Sequence, residues 1–305
     1  MAVSNKKIIF WGTPDFAIPS FRILLALGLV KAVVTQPDRP SGRRQKISSS
    51  PVKKTASIYS LPILCPERLD EDFVFALKKY LPATFVIVAY GKIIPQEILD
   101  LSELCAINIH PSALPVLRGP SPIQTALADG LKETAVTLIQ LDDHMDHGPI
   151  LAQQNIDISS EDNFESLSAK LAIVGGKILA GSIISYLDGG LAGKSQDDRA
   201  ATFCKLIKKE DGDISWQDSA LKIHNKVRAY NPWPSVYTDL NGIKIKLIKT
   251  KLSDQELRPA QFAVENNHFF VGTDDGSLEI LEIQPEGKRI MMAGEFIRGY
   301  EKYLN

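Results

Sequence analysis

The sequence predicts an α/β chain in two parts, a parallel-sheet domain followed by a smaller all-β domain. Three observations carry this. Between residues 7 and 187 short apolar runs alternate with helix-like segments, the pattern of parallel strands joined by right-handed crossovers. One run, residues 84–89 (TFVIVA), is apolar almost throughout, as a strand covered on both faces must be. Towards the C-terminus the period falls to two, with turn signals at Asn241-Gly242 and Asp274-Asp275-Gly276. At 305 residues the chain also exceeds what one core usually holds.

Taken in order, residues 7–11 (KIIFW) read as a strand, Gly12-Thr13-Pro14 as a tight turn, and residues 16–27 as a helix ending near Gly28. This opening is Rossmann-like, but Pro14 stands where the second glycine of G-x-G-x-x-G belongs, which argues against a nicotinamide or flavin site. Thr13 and Pro14 then read as a turn that also walls the crevice. Residues 30–35 form the second strand. Residues 36–51 are rich in Pro, Ser and Gly and are expected to be an irregular loop without stable helix or strand. Helix is expected at 52–60, strand at 61–64, an amphipathic helix at 70–80, and the apolar strand at 84–89 closes on Tyr90-Gly91.

The most informative stretch is 105–124 (CAINIHPSALPVLRGPSPIQ). Ala106, Ile107 and Ile109 mark a buried strand that carries Asn108 and His110. At alternate positions the two polar side chains face the same way, at the strand end where open α/β sheets place their crevices. Pro111, Pro115, Gly119, Pro120 and Pro122 then exclude helix and central strand, leaving a loop draped over the site. A further strand at 135–141 (AVTLIQL) ends in Asp142-Asp143-His144-Met145-Asp146-His147-Gly148, three carboxylates and two histidines in six positions. Two readings stand: a solvated acidic loop, or a carboxylate that reaches back to His110 and holds it protonated. An Asn, a His and an Asp together supply an amide donor, a tunable acid and its partner, an oxyanion-stabilising set. Ser112 lies near His110, but no G-x-S-x-G elbow makes it a nucleophile.

Beyond this loop, residues 123–129 read as a helix that Gly130 can end, and 150–158 as a strand. Ser159 and Asp162 match a capping box for a long helix to about residue 187, kinked at Gly175-Gly176. Residues 188–203 are polar and Gly-rich, so the expected division is a first domain at 1–188, a linker at 189–206 and a second domain at 207–305. Short strands at 236–240, 243–250, 269–272 and 278–284 suggest a small OB-like β-barrel. Lys244 and Lys246, with Lys249 and Lys251 one step out of register, form a basic stripe. Arg228, Tyr230 and Trp233 add cationic and aromatic groups nearby in sequence.

Composition bounds the function class. Hydrophobic content of 44% with 23% charged residues is that of a soluble globular protein. A net charge of -1 announces no polyanionic partner, but residues 31–54 hold seven basic residues against one acidic, a local charge of +6 suited to a phosphate backbone. Cys65, Cys105 and Cys204 have neither metal-ligand spacing nor a disulfide framework and are expected to be buried thiols. MAVSNKKIIFWG lacks a signal-peptide pattern, and no uninterrupted apolar run reaches the roughly 20 residues of a membrane span, so a cytoplasmic enzyme is expected.

The pieces FWGTPDFA (10–17), TQPDRPSGR (35–43), VAYGKIIP (88–95), NIHPSALPVLRGPSPIQ (108–124), MDHG (145–148) and YNPWPS (230–235), in this order, are similar to methionyl-tRNA formyltransferases. The resemblance implies a catalytic, formyl-folate-binding N-terminal domain and an OB-like tRNA-binding C-terminal domain. It implies transfer of a formyl group from 10-formyltetrahydrofolate to the methionine amino group of initiator methionyl-tRNA, for translation initiation, by a monomer without a metal. Asn108, His110 and Asp146 match the family's catalytic trio. By the same resemblance Val88, Ala89, Tyr90, Gly91, Ser112, Leu114, Pro115, Leu141 and Asp142 are expected at the folate. Arg39, Arg43, Arg44, Lys46, Lys205, Arg228, Lys244 and Lys246 are expected at the tRNA. Pro111 and Ala113 stand where the family loop more often has Gly and Leu. The same trio would serve a sugar-nucleotide formyltransferase or a formyl-folate hydrolase; the basic loop and basic strands favour the larger acceptor. An inert RNA-binding protein of this fold is a further alternative, against which the intact trio speaks.

Overall fold

The computed structural model describes residues 6–41 and 46–300. They fall into two compact units. The first comprises Met1–Gly119, Glu133–Asp157 and Ser168–Phe203. Its strands are β1 (Ile8–Gly12), β2 (Val30–Val34), β3 (Arg39–Ser41), β4 (Lys46–Ser48), β5 (Ile63–Leu64), β6 (Thr84–Val88), β7 (Ile107–His110), β8 (Glu133–Gln140) and β9 (Ile150–Asp157). A seven-stranded sheet runs β5-β2-β1-β6-β7-β8-β9. From β5 to β7 neighbouring strands are parallel, whereas β8 and β9 pair antiparallel. The sheet is therefore mixed, not wholly parallel. The turn between β8 and β9 is too short for a crossover helix, so those two can only pair antiparallel.

Every residue of β1 and β6 is buried, which the apolar run in the sequence requires. Trp11 packs against Phe73, Phe85 and Tyr90 at ring-centroid distances of 5.7, 5.4 and 5.2 Å, contacts each worth about 0.5–1.5 kcal/mol beyond the area they bury. Around the sheet lie α1 (Ile18–Ala26), α2 (Pro51–Ile58), α3 (Glu71–Lys78) and α4 (Gln96–Leu99). Ser50 caps α2 by accepting from the Lys53 amide at 3.0 Å, and Asp70 caps α3 through Phe73 at 3.1 Å.

Several local expectations are corrected. Within the expected irregular loop, β3 and β4 pair as a short antiparallel ribbon with Pro40 opposite Ile47. Such a two-stranded ribbon is all edge and can accommodate a residue without a donor. Segment 189–203 packs within the first unit and is not a free linker. Lys194 exchanges both backbone hydrogen bonds with Ile150 at 2.8 Å, and Thr202 accepts from the Arg118 amide at 2.9 Å. Its polar, Gly-rich composition hides a strap whose order comes from backbone pairing. Of the three cysteines only Cys204 is buried; Cys65 is half-buried and Cys105 exposed.

The second unit comprises Pro120–Lys132, Ile158–Leu167 and Cys204–Asn305, so the units interleave along the chain where composition suggested a single cut. It contains α5 (Pro122–Ala128), and α6 (Phe164–Leu187) begins in it. The capping position of α6 is Asn163: Asn163 Oδ1 accepts from the Ser166 amide at 2.9 Å, and Ser166 Oγ accepts from the Asn163 amide at 3.1 Å. The expected Ser159–Asp162 pair forms one half of a box, Ser159 N donating to Asp162 Oδ2 at 2.9 Å, one turn too early. Helix α6 is long and apolar enough to cross a membrane by composition, and it buries Leu167, Leu171, Leu179, Ile183 and Leu187 while Ile173 and Ile184 are exposed. A Cβ on Gly175 would lie 2.9 Å from Ile109, and one on Gly176 2.9 Å from Ile23. The glycine pair thus permits close approach within an unbroken helix.

Continuing along the chain, α7 (Ala220–Tyr230) precedes β10 (Val236–Leu240), β11 (Ile243–Ser253), β12 (Phe262–Glu265), β13 (His268–Gly272), β14 (Ser277–Pro285), β15 (Met291–Met292) and α8 (Ala293–Tyr300). These strands form an antiparallel sheet, β10-β11-β14-β13-β12 with β15 beside β14, consistent with an OB-like fold. Asn241 and Gly242, with φ of 49° and 81°, make the two-residue hairpin turn that their sequence announces.

Candidate active site

Strand β7 turns Ile107 and Ile109 into the core and Asn108 and His110 to the other side. Asn108 is half-buried, and its amide makes no hydrogen bond among the described residues. His110 is 4% exposed. Its Nε2 lies 3.0 Å from the Leu117 carbonyl, and its Nδ1 lies 3.5 Å from Asp146 Oδ1. A carbonyl oxygen can only accept, so Nε2 carries a proton and Nδ1 is the nitrogen turned to the carboxylate. Asp146 Oδ2 accepts from the Gly119 amide at 2.8 Å. Of the three carboxylates in the turn, Asp146 alone lies beside His110. Asp142 is 2.6 Å from His147 Nδ1, and Asp143 is 2.7 Å from His144 Nδ1.

The loop after β7 is braced from within. Ser112 Oγ donates to the Val116 carbonyl at 2.6 Å, Thr137 Oγ1 donates to the Ser112 carbonyl at 2.6 Å, and Gln153 Nε2 donates to the Leu114 carbonyl at 3.0 Å. Leu117 and Asp146 have left-handed backbone, φ of 58° and 51°, at a cost on the order of 1 kcal/mol or more each. Such strain persists where surrounding bonds over-determine it. Here Arg118, 4% exposed, donates from Nε and a terminal nitrogen to Gln196 Oε1 at 3.0 and 2.8 Å, and to Asp198 Oδ1 at 2.8 Å. Gln196 Nε2 in turn donates to the carbonyls of Asp146 and Gly148, both at 2.8 Å. Sequence reading missed these residues. Arg118 sat within a quoted motif without a role, and Gln196 lay in the presumed linker with no periodicity to mark it.

The hydrogen bond to Asp142 raises the His147 pKa, Asp198 adds to the rise, and Arg118 holds the Asp198 carboxyl below the usual carboxylate range. Asp142, His144 and His147 bring one ligand atom each within 4.8 Å of one another. Both imidazole Nδ1 atoms already face carboxylates, so hydrogen bonding accounts for the cluster.

Residues expected at the folate divide in two. Ala89 and Gly91, in left-handed backbone after β6, are exposed; Pro115, Leu141 and Asp142 are half-buried. Val88, Tyr90, Ser112 and Leu114 are buried, so their side chains support the walls. Burial pushes the Tyr90 hydroxyl up to about 12. The Tyr90 carbonyl accepts from Thr13 Oγ1 at 2.8 Å and Gln36 Nε2 at 3.2 Å, tying the β1 turn to the end of β6.

The basic set also divides. Arg43 and Arg44 lie outside the described residues, and the backbone of Lys46 is in β4. Exposed Arg39 pairs with Glu67 at 2.9 Å, and exposed Lys205 has its Nζ 3.5 Å from Asp211. Lys244, Lys246, Lys249 and Lys251 are all exposed along β11 while Ile245, Leu247 and Thr250 are buried. The pairing skips Ile248, a bulge that reverses the alternation and returns Lys249 and Lys251 to the face of Lys244 and Lys246. Arg228 is engaged within the protein. Its guanidinium donates to the carbonyls of Ser159, Ser160 and Asp162 at 3.2, 3.3 and 2.9 Å and to Asn225 Oδ1 at 2.7 Å. These bonds hold it within its own unit, with Nη1 shared among three carbonyls and Nε buried.

Residues 23–183 match the family model for formyl transferase, and residues 206–301 match that for the formyl transferase C-terminal domain. Fold and family models together define an enzyme of the formyl transferase class. The methionyl-tRNA formyltransferase of Thermodesulfovibrio yellowstonii is 44% identical over 297 residues, covering 97% of this chain and 96% of that one. That of Myxococcus xanthus is 36% identical over 301 residues, covering 98% and 96%. The chain belongs to the methionyl-tRNA formyltransferase family. A sugar 3N-formyl transferase solved with dTDP and 5-N-formyl-THF shares the fold at a TM-score of 0.70 and 22% identity, covering 93% of this chain and 99% of that chain.

Proposed function

We propose that this enzyme transfers a formyl group from 10-formyltetrahydrofolate to the methionine amino group of initiator methionyl-tRNA. The His110–Asp146 pair beside the unbonded amide of Asn108 is the observation that carries this reading. When bound, the formyl-folate supplies an electrophilic formyl carbon whose oxygen gains negative charge as the amine adds. The exposed backbone of Ala89 and Gly91 and the half-buried Pro115, Leu141 and Asp142 suit a flat heterocycle and would hold it.

Asn108 donates its amide to the developing oxyanion, where a positioned donor has most effect. His110 has one nitrogen firmly committed to Leu117, while the 3.5 Å separation at Nδ1 is at the limit of a hydrogen bond. Nδ1 is therefore the nitrogen left to face the oxyanion, beside Asp146. Asp146 orients the ring and would accept the amine proton, directly or through water. The exposed lysines of β11 and the basic residues of 31–54 support a polyanionic acceptor, which a sugar nucleotide would not need. We assign the activity to a cytoplasmic monomer.

Substitution of the three turn carboxylates tests the reading. Asp146→Asn is expected to abolish turnover, whereas Asp142→Asn and Asp143→Asn, whose partners are His147 and His144, cause mild losses. Equal loss at Asp142 would remove Asp146 from its role.

A further inference from the structure

Residues 117, 118 and 119 each hold a different part of the site. The Leu117 carbonyl accepts a hydrogen bond from His110 Nε2, and the Gly119 amide donates to Asp146 Oδ2. Between them the Arg118 side chain grips Gln196, which grips the backbone on either side of His147. The strap closes the circuit: Thr202 Oγ1 accepts from the Leu117 amide at 2.9 Å and the Thr202 carbonyl accepts from the Arg118 amide at 2.9 Å.

We propose that Gln196, set by Arg118, is a positioning residue that holds Asp146 in the strained backbone conformation aiming its carboxylate at His110; this rests on the role given to Asp146 above. The chemistry allows one arrangement only. Gln196 Oε1 faces two guanidinium donors and its Nε2 faces two carbonyls, so the amide is fully used and a flipped amide would oppose like groups at every contact. Arg118 is a buried cation whose partners are Gln196 and the Asp198 carboxylate, an arrangement that tolerates little rearrangement. The Asp146 carbonyl is thereby fixed from one side and its carboxylate from the other. A left-handed residue held at both ends cannot relax to ordinary backbone and swing its carboxylate from the imidazole.

The discriminating variant is Gln196→Glu. A carboxylate still accepts from Arg118 but puts an oxygen against two carbonyls, so the strap remains anchored while the grip on 146–148 is lost. Single-turnover formyl transfer should fall on the order of tenfold to a hundredfold, the effect of misplacing a reacting group by about 1 Å. In the Asp146→Asn background, which no longer turns over but whose residual transfer is read in single turnover with enzyme in large excess, the same substitution should cost nothing further, because the two changes break one interaction. Gln196→Met, which lacks the donors without adding charge, should behave the same, and Arg199→Ala on the same strap, 91% exposed, should retain full rate. Melting temperatures accompany each variant. Gln196→Glu and Gln196→Met at wild-type rate would overturn the proposal, as would an equal loss in both backgrounds, which marks a purely structural residue. Asp146→Asn at wild-type rate would instead overturn the role of Asp146.

Discussion

At the residue scale the site turns on how few groups Asn108 and His110 have left to share. The half-buried Asn108 amide is unbonded among the described residues, so its removal leaves no new unpaired group in the protein. Asn108→Ala should therefore lower turnover about a hundred- to a thousandfold with unchanged thermal stability and formyl-folate affinity, read by steady-state kinetics and equilibrium binding. His147 makes a pH prediction. Its bond to Asp142 raises its pKa above the ordinary histidine value, so the stabilisation from that pair is complete below that ordinary value and fades as pH rises through the raised one. An NMR titration of the imidazole should place its midpoint above 6.5, and Asp142→Asn should bring it down. A midpoint insensitive to Asp142 would contradict the assignment. The trio was legible in the sequence because alternation on a strand fixes which side chains share a face. Arg118 and Gln196 were not, since no periodicity marks a loop residue and a strap residue that meet only in the fold.

At the scale of elements, burial patterns were read well and irregular segments less well. β1, β6 and β8 announce themselves by continuous apolar runs, and the bulge in β11 was already visible as a lysine pattern that changes register. Helix α7 gave no such signal. Its Arg228 reads as a nucleic-acid contact next to Tyr230 and Trp233, yet the last turn of the helix spends that side chain on the carbonyls of 159–162. Arg228→Ala should therefore destabilise the protein by about 1–3 kcal/mol, the cost of leaving buried polar groups unpaired, with tRNA kinetics unchanged in the folded fraction. Denaturant melts beside tRNA titrations decide it, and normal stability with weakened tRNA binding would restore the sequence-based role. Trp233, by contrast, is 56% exposed, as an aromatic available for stacking would be.

At the scale of the whole molecule, composition suggests consecutive domains, but segments 120–132 and 158–167 join the C-terminal unit while 189–203 stays with the first. Such exchanges leave no compositional mark, because a hydrogen-bonded strap and a free linker are equally polar. The net charge of -1 is similarly uninformative, since the basic groups are local. Many are also locally answered: Lys53 pairs with Asp38 at 2.8 Å, and Lys244, Lys249 and Lys251 lie in register with Asp239, Glu282 and Glu279. Acceptor recognition should then depend on Lys246, which lies in register with Tyr237 and Gln284, and on the basic residues that the sequence concentrates in 31–54. The most direct test follows labelled formyl from 10-formyltetrahydrofolate onto methionyl-tRNA, a sugar nucleotide or water at several salt concentrations, for the native enzyme and Arg43→Ala. The account predicts label on methionyl-tRNA, affinity falling with salt at a slope of about -0.9 per phosphate contact on duplex backbone, and a shallower slope with a higher KM for Arg43→Ala. Label on the sugar nucleotide, or free formate with the methionyl-tRNA amine left unformylated, would contradict it.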